Sequence, residues 1–223
     1  MSYLDVYRKR LQANGESSTD GIVFASKKTI ANNFSSSLFS EIVLINDIEF
    51  EAIISQEEAS EDKKLLLKPD TKINIGSVVR IKENNYLAMD FLGEGINEVY
   101  PTATLKLCNN TLTLQQKQVC TVVGKNDFDE DIVVCNPSEI SHLPCIVERS
   151  TVTSNSENAI NLPEGKANVT IPFTVNDSIE IGKSIDLYTE KYEIQDIDYT
   201  KSLGETGLMI LNVEKKVGES WVV

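Results

Sequence analysis

The chain is 223 residues long, with 41% hydrophobic and 25% charged residues, which is typical of a globular protein and leaves room for one large domain or two moderate ones. Its 34 acidic and 21 basic residues give a formal net charge of -13. Such an excess of carboxylates repels a phosphate backbone and excludes sequence-specific nucleic-acid recognition, although an acidic wall along which DNA slides is compatible with it.

The N-terminus predicts a short helix. Ser2 can cap its first turn, and Gly15 can end it in a left-handed conformation. Leu4, Tyr7 and Leu11 fall at helical spacing and form one apolar stripe. Because a helix this short is marginal by itself, the stripe must pack on its own domain or on another subunit. The three residues are therefore candidates for an interface.

Residues 16–40 are rich in serine, asparagine and lysine around a few apolar positions, and they predict a long excursion with one or two helical turns. A loop of this length is usually functional or ordered by a partner. Phe34 and Phe39, which lie within it, are therefore further interface candidates.

From residue 42 onward the pattern changes to β-strands. Ile42–Ile45 and Ile48–Ile54 flank Asn46-Asp47, a pair typical of a tight hairpin turn. Few later stretches hold a helical period for three turns, so the predicted fold class is mainly β. Further strand-like runs occupy residues 78–81, 86–91, 103–107, 111–114, 119–123 and 132–135.

An internal repeat relates two parts of the chain. Residues 73–91 recur at residues 179–197, and Gly76 matches Gly182. The shared pattern is a glycine turn, a strand with alternating apolar residues, a polar hairpin and a second strand entered by tyrosine. Common origin of two halves and convergence on one hairpin both explain it. The repeat predicts two tandem β modules, each a barrel or a sandwich.

The expected domain organisation follows from this repeat. We expect the N-terminal helix and the first module at residues 1–115, connecting strands at residues 116–150, and the second module at residues 151–223. Gly124, Pro137 and Pro144 punctuate the connecting region.

The four cysteines predict neither a metal site nor a cofactor site. Cys108, Cys120, Cys135 and Cys145 are separated by ten to fifteen residues without a C-x-x-C pair, and His142 is the only histidine. Buried reduced thiols are favoured over disulfides and over metal binding, because cysteine is often a small core residue.

Nothing in the sequence indicates an enzyme. His142 has no nucleophile motif around it, and Gly93-Glu94-Gly95 lacks the third glycine of a dinucleotide fingerprint. Asp127, Asp129 and Asp131 alternate as in a calcium loop, but the loop's glycine and final glutamate are missing. We therefore expect no catalytic residues.

The end of the chain predicts either a last strand or an anchor. Trp221, Val222 and Val223 form an apolar tail that can complete its own sheet or enter a neighbour's groove. At the other end no basic-then-apolar leader is present, and apolar runs such as Ile42–Ile45 are too short to span a bilayer. We expect a protein that is neither secreted by the usual route nor embedded in a membrane.

Several segments together are similar to a known group of structural proteins. The chain resembles the head-tail connector or head-closure proteins in the neck of tailed bacteriophages that infect Gram-positive bacteria. The similarity covers much of residues 1–147 and includes no active-site motif. The segments are Leu4–Arg10 (LDVYRKR), Lys64–Thr71 (KLLLKPDT), Gly76–Val79 (GSVV) with the Tyr86 strand, Leu107–Leu112 (LCNNTL) and Leu143–Val147 (LPCIV).

The resemblance implies a β-barrel or sandwich protein that forms a cyclic homo-oligomeric ring below the portal, around the channel through which DNA leaves. Its expected partners are portal or adaptor proteins and tail neck proteins, with transient, non-specific proximity to DNA. Its expected location is the virion neck, assembled in the host cytoplasm. An adhesin or baseplate protein of the tail is the alternative. A nucleic-acid-binding barrel would need a basic groove interleaved with aromatic residues, which the sequence lacks.

Overall fold

The computed structural model describes residues 3–4, 6–7, 15, 17–34, 36–56, 62–115, 120–126, 128–135, 140–149 and 165–216. Residues 3, 4, 6 and 7 are helical. The chain divides into two compact units, Met1–Leu107 and Cys108–Val223, and strands dominate both. The prediction of a mainly β protein with two tandem modules is therefore confirmed.

The first module is a closed six-stranded antiparallel barrel preceded by a helix. Its strand order is β1-β2-β3-β6-β5-β4, and pairing of Leu44 with Arg80 and of Ile45 with Val79 closes it. Alternate residues point inward, so that Val43, Leu65 and Leu105 are fully buried. The elements are α1 (Ser18–Phe34), β1 (Ser40–Ile45), β2 (Ile48–Gln56), β3 (Lys63–Leu67), β4 (Val78–Ile81), β5 (Asn84–Leu92), a 3-10 turn (Gly95–Glu98) and β6 (Thr102–Leu107).

The second module follows the same path through six strands. Its sheet order is β12-β13-β15-β11-β10-β7, and β14 pairs with β15. The end strands of this order, β7 and β12, lie close together without a ladder between them, whereas their counterparts β1 and β4 pair with each other. The strands are β7 (Asn110–Gln115), β8 (Cys120–Lys125), β9 (Asp131–Cys135), β10 (Ile140–Arg149), β11 (Lys166–Pro172), β12 (Ser184–Leu187), β13 (Glu190–Asp198), β14 (Ser202–Leu203) and β15 (Thr206–Lys215).

The sequence repeat coincides with a structural repeat. Gly76 and Gly182 have φ angles of 83° and 85°, in the left-handed region that favours glycine. Their backbone N–H groups donate to the carbonyl oxygens of Ala88 and Ile194 at 2.8 and 2.7 Å. One residue beyond those carbonyls, a register shift marks a β-bulge in β5 and another in β13. The two hairpins are thus built alike, turn by turn.

The helix α1 is longer than predicted. It spans 17 residues where one or two turns were expected. The Nζ atom of Lys27 contacts Asp70 Oδ1 at 2.5 Å and Glu98 Oε2 at 2.9 Å, which fixes the helix to the loops of the first module. Its mixed polar sequence has little helical periodicity and therefore no pronounced apolar face. Tertiary contacts such as those of Lys27 hold the helix instead.

The boundary between the modules differs from the predicted one. It falls between Leu107 and Cys108, so β7 and β10 belong to the second module instead of the first module and a connecting region. The Asn109 side chain donates to the Val147 carbonyl and accepts from the Val147 N–H, both at 2.8 Å, which ties the first residues of the second module to β10. Since only Cys108 and Asn109 separate β6 from β7, the sequence carries no linker signal there.

One cysteine prediction is wrong. Cys120 and Cys135 form a disulfide across the β8–β9 hairpin, with their Cα atoms 3.9 Å apart. Cys108 and Cys145 remain thiols, and Cys145 is buried, as predicted for all four. A separation of fifteen residues gave no sign of a bridge because only the hairpin register places Cys120 opposite Cys135.

The left-handed turn of the second module supports a test of stability. A Cβ at Gly182 would meet no heavy atom within 4 Å, so the cost of Gly182→Ala is conformational. We expect a loss of about 1–2 kcal/mol in the free energy of unfolding, measured by urea titration. Gly124→Ala is the matched control, because its Cβ also meets nothing within 4 Å and its φ is not positive. Equal losses in both variants would contradict the role assigned to the turn.

Candidate assembly surfaces

The described residues present little that resembles a catalytic or metal centre. Within the described ranges, no group of three or more His, Cys, Asp or Glu side chains could hold a metal ion. His142 Nδ1 lies 3.4 Å from Thr113 Oγ1, its direct cross-strand partner between β10 and β7. Such a contact is ordinary for neighbouring strands. The expectation that the chain is not an enzyme stays a prediction.

In the part of the chain that the structure describes, no helix is both long and apolar enough to cross a bilayer.

The predicted interface residues have different environments. Leu4, Tyr7 and Phe39 expose 66%, 53% and 72% of their surface, so a partner can reach them. Phe34 exposes only 3% and is part of the buried apolar core, so its assignment to an interface is corrected. It ends α1 next to Lys68, whose ammonium group lies 5.9 Å from the ring centroid. The remaining candidates, Leu11, Trp221, Val222 and Val223, lie outside the described residues.

A concave surface lies on the first module where β1 and β2 meet the turn before them. We call it the β1–β2 groove; its volume is about 360 Å³. Leu38, Phe39 and Ile48, which are 96%, 72% and 63% exposed, adjoin its lining in the sequence. Its lining residues are Ser37, Ser40, Glu41, Ile42, Glu49, Phe50 and Glu51.

Three carboxylates give the groove a negative rim. Glu51 is held by an ion pair with Lys68 and accepts a hydrogen bond from Ser40 Oγ at 2.7 Å. Glu41 is 3.8 Å from the Nζ atom of Lys82, an exposed and loosely held partner. Glu49 is exposed. Glu41 and Glu49 are therefore the carboxylates that an approaching basic group would meet.

The second module carries a different feature, the β8–β9 arm (Cys120–Lys125 and Asp131–Cys135). Every residue of its two strands is exposed. The first module has only the Asn46-Asp47 turn at the equivalent point in its strand path. An isolated two-stranded hairpin is marginal in water, so the Cys120–Cys135 bridge supplies order that burial does not.

The tip of the arm presents an aromatic ring. The Asn126 side-chain oxygen accepts hydrogen bonds from the N–H groups of Phe128 and Glu130 at 2.9 and 3.0 Å. Lys125 Nζ contacts Asp129 Oδ1 at 2.8 Å across the same turn. This frame holds Phe128 with 85% of its surface exposed. Aromatic residues presented in this way are typical anchors of protein interfaces.

Sequence reasoning identified the strands of both surfaces but not their exposure. Val122 and Val133 were read as ordinary strand residues, yet they are 59% and 51% exposed. The available signal was a pair of short valine-rich runs, each bounded by a cysteine and joined by an acidic turn. Alternation with polar residues, which marks a strand with one buried face, is missing there.

A polar cluster lies at one end of the second barrel. Arg149 is 5.5 Å from the ring centroid of Tyr192 and 5.6 Å from that of Tyr188. Its guanidinium donates to the Tyr192 hydroxyl and lies 3.3 Å from Glu190 Oε2. The Tyr192 hydroxyl in turn donates to Glu190 at 3.0 Å, and Lys215 also pairs with Glu190.

The cluster shifts two pKa values in opposite directions. Hydrogen bonds from Lys215 and then from Tyr192 lower the pKa of Glu190. Burial, followed by the hydrogen bond to Glu190, raises the pKa of Tyr192. Tyr192 is therefore a neutral donor to an ionised carboxylate, and the cluster ties β10, β13 and β15 together.

We expect Tyr192→Phe to lower the free energy of unfolding by about 1–2 kcal/mol, because both partners of a buried hydroxyl lose a hydrogen bond. Urea unfolding measures this loss. Tyr86→Phe is the matched control, since Tyr86 is the repeat equivalent and its ring faces Lys63 Nζ at 4.9 Å. We expect a smaller loss there. Folding lowers the pKa of Glu190, so the stabilisation that its ionised carboxylate provides is lost as the pH falls through the lowered pKa. A loss in Tyr86→Phe equal to that in Tyr192→Phe would contradict the assignment.

The two thiols support a test of reactivity. Burial raises the pKa of Cys108 and of Cys145 to about 12 from an ordinary 9.0. At pH 8 their thiolate fraction falls about a thousandfold, so iodoacetamide should label neither in the folded protein. Unfolding without reductant should expose two thiols, and unfolding with reductant four, counted by mass spectrometry. Because folding raises both pKa values, the contribution of the two thiols to the free energy of unfolding is complete below about pH 9. It declines as the pH rises toward 12. Rapid labelling of Cys145 in the native state would contradict this account.

Comparison with known proteins gives consistent matches over both modules. A model of the YomX N-terminal domain matches residues 12–107, and a model of the YomX C-terminal domain matches residues 102–214. The SPbeta prophage-derived uncharacterized protein YomX of Bacillus subtilis (strain 168) is 33% identical over 189 residues, which cover 81% of this chain and 84% of that protein. No solved structure matches the chain.

Proposed function

Since this chain belongs to the YomX family, we propose that it is a structural protein of a phage virion that forms a ring in the neck, between head and tail. The relative from the SPbeta prophage supports a phage origin. The ring surrounds the channel through which DNA leaves the head. In the proposal, the portal or adaptor proteins lie on one side and the tail neck proteins on the other.

The observation that carries the proposal is the presence of two unlike exposed surfaces on one chain. The first module has the β1–β2 groove, and the second has the β8–β9 arm. A closed ring requires heterologous contacts, in which one patch of a subunit meets a different patch of the next. Two repeated β modules with different exposed surfaces provide patches of this kind, together with contacts for the neighbouring layers.

Charge is consistent with a conduit for DNA. A net charge of -13 disfavours adsorption of the phosphate backbone, so DNA passing the ring would not be retained. The resemblance to connector proteins adds support, because its segments Lys64–Thr71 and Gly76–Val79 include parts of β3 and β4 in the closed barrel.

One observation favours a second candidate. Phe128 at the tip of the arm is 85% exposed, as expected of a tail protein that inserts an aromatic residue into a host-surface receptor or a baseplate neighbour. An adhesin or baseplate protein would display the arm at the far end of the tail. The position of the chain in the particle therefore separates the two candidates.

We expect gold-labelled antibody against this chain to bind intact phage particles at the head–tail junction, seen by negative-stain microscopy. Antibody against a known baseplate protein of the same phage is the positional control. Label at the tail tip would contradict the neck assignment and favour the second candidate. Absence of the chain from purified particles, checked by mass spectrometry, would contradict both.

A further inference from the structure

We infer that residues 1–14 of one copy dock in the β1–β2 groove of a second copy and so link neighbouring subunits of the ring. The inference rests on the proposed function and deepens it, because it names the contact through which the ring assembles. Apolar side chains, charge and exposure support it.

The docking segment offers apolar side chains. Residues 3, 4, 6 and 7 are helical, and Tyr3, Leu4 and Tyr7 expose 85%, 66% and 53% of their surface. The groove offers two apolar side chains, Ile42, which is 70% exposed, and Phe50, which is half-buried. An amphipathic helix laid in an apolar groove is a recurrent mode of recognition.

The charge of residues 1–14 is opposite to that of the groove. Residues 1–14 include three basic side chains, Arg8, Lys9 and Arg10, and a single acidic one, although the whole chain has a net charge of -13. The groove presents Glu41 and Glu49 at its rim, while Glu51 is occupied by Lys68. A basic segment therefore complements an acidic groove on a chain whose net negative charge makes copies repel one another.

The contact between copies is heterologous. The segment and the groove are different patches, so each copy can donate one and accept the other. Tyr3, Tyr7 and Ile42 are all exposed in the single chain, so their apolar surface is accessible to a second copy. Head-to-tail repetition of this contact generates a ring, as the proposed function requires.

The test exchanges the charges of the two surfaces in the full-length chain. In Arg8→Glu/Lys9→Glu/Arg10→Glu, the docking segment and the rim of the groove both carry negative charge and repel each other. We expect the dissociation constant of the oligomer to rise at least about tenfold. Adding Glu41→Lys/Glu49→Lys to the same chain makes the surfaces complementary again and should restore assembly. Sedimentation velocity over a concentration series measures both, and added salt should weaken the wild-type oligomer.

Apolar variants test the other half of the contact. Tyr3→Asp/Tyr7→Asp should abolish assembly at concentrations where the wild-type chain is oligomeric. Leu203→Asp is the matched control, because Leu203 is 86% exposed and lies in neither surface, and it should assemble like the wild type. Circular dichroism melts of every variant should match the wild type, and Tyr3, Tyr7, Glu41, Glu49 and Leu203 are all exposed.

Three outcomes would overturn the inference. They are an oligomer that tolerates the triple charge reversal, a reversal that the compensating lysines do not rescue, and a full-length chain that stays monomeric at concentrations of about 100 µM. None of these decides the neck assignment, which depends on where label binds the particle.

Discussion

Pairing of the first strand with the fourth is the constraint on which the closed barrel of the first module depends. In the first barrel, Leu44 and Ile45 of β1 pair with Arg80 and Val79 of β4, so every one of its six strands has two neighbours. In the second sheet, β7 and β12 lie side by side, but no ladder pairs them. Closure of a barrel removes the exposed edges that invite strand addition. One strand path thus yields a closed barrel in the first module and a nearly closed one in the second.

The two modules also differ in the connection between their first two strands. The first module connects β1 to β2 with two residues, and the second places the disulfide-bridged arm at the equivalent point. The arm contributes nothing to the buried core, because each of its strand residues is exposed. The barrel cores of both modules are formed by the same alternation of inward-facing residues. The two modules therefore share the pattern of their cores and differ in their exposed surfaces.

Much of the fold could be predicted from sequence, and the reasons for the failures are physical. The Gly76 and Gly182 turns, the Asn46-Asp47 hairpin and the alternating strands are local signals, and the structure contains all of them. The register that pairs Cys120 with Cys135 is non-local, so no spacing rule identified it.

The candidate surfaces divide in the same way. Phe34 was interpreted as an exposed loop residue because the full length of α1 was not predicted. In the structure it ends α1, and its ring lies next to Lys68. Tyr7 and Phe39 are exposed as an interface requires, and whether they form one stays a prediction. The groove could not be predicted, since it depends on how the turn at residues 36–39 meets β1 and β2.

We propose that two repeated β modules with unlike surfaces assemble into a ring at the phage neck. A cryo-electron microscopy map of the intact neck is the decisive test. We expect a ring below the portal and around the DNA channel, whose repeating unit fits a closed six-stranded barrel and a nearly closed six-stranded barrel bearing a hairpin arm. A neck map in which every ring is fully explained by other proteins would contradict it.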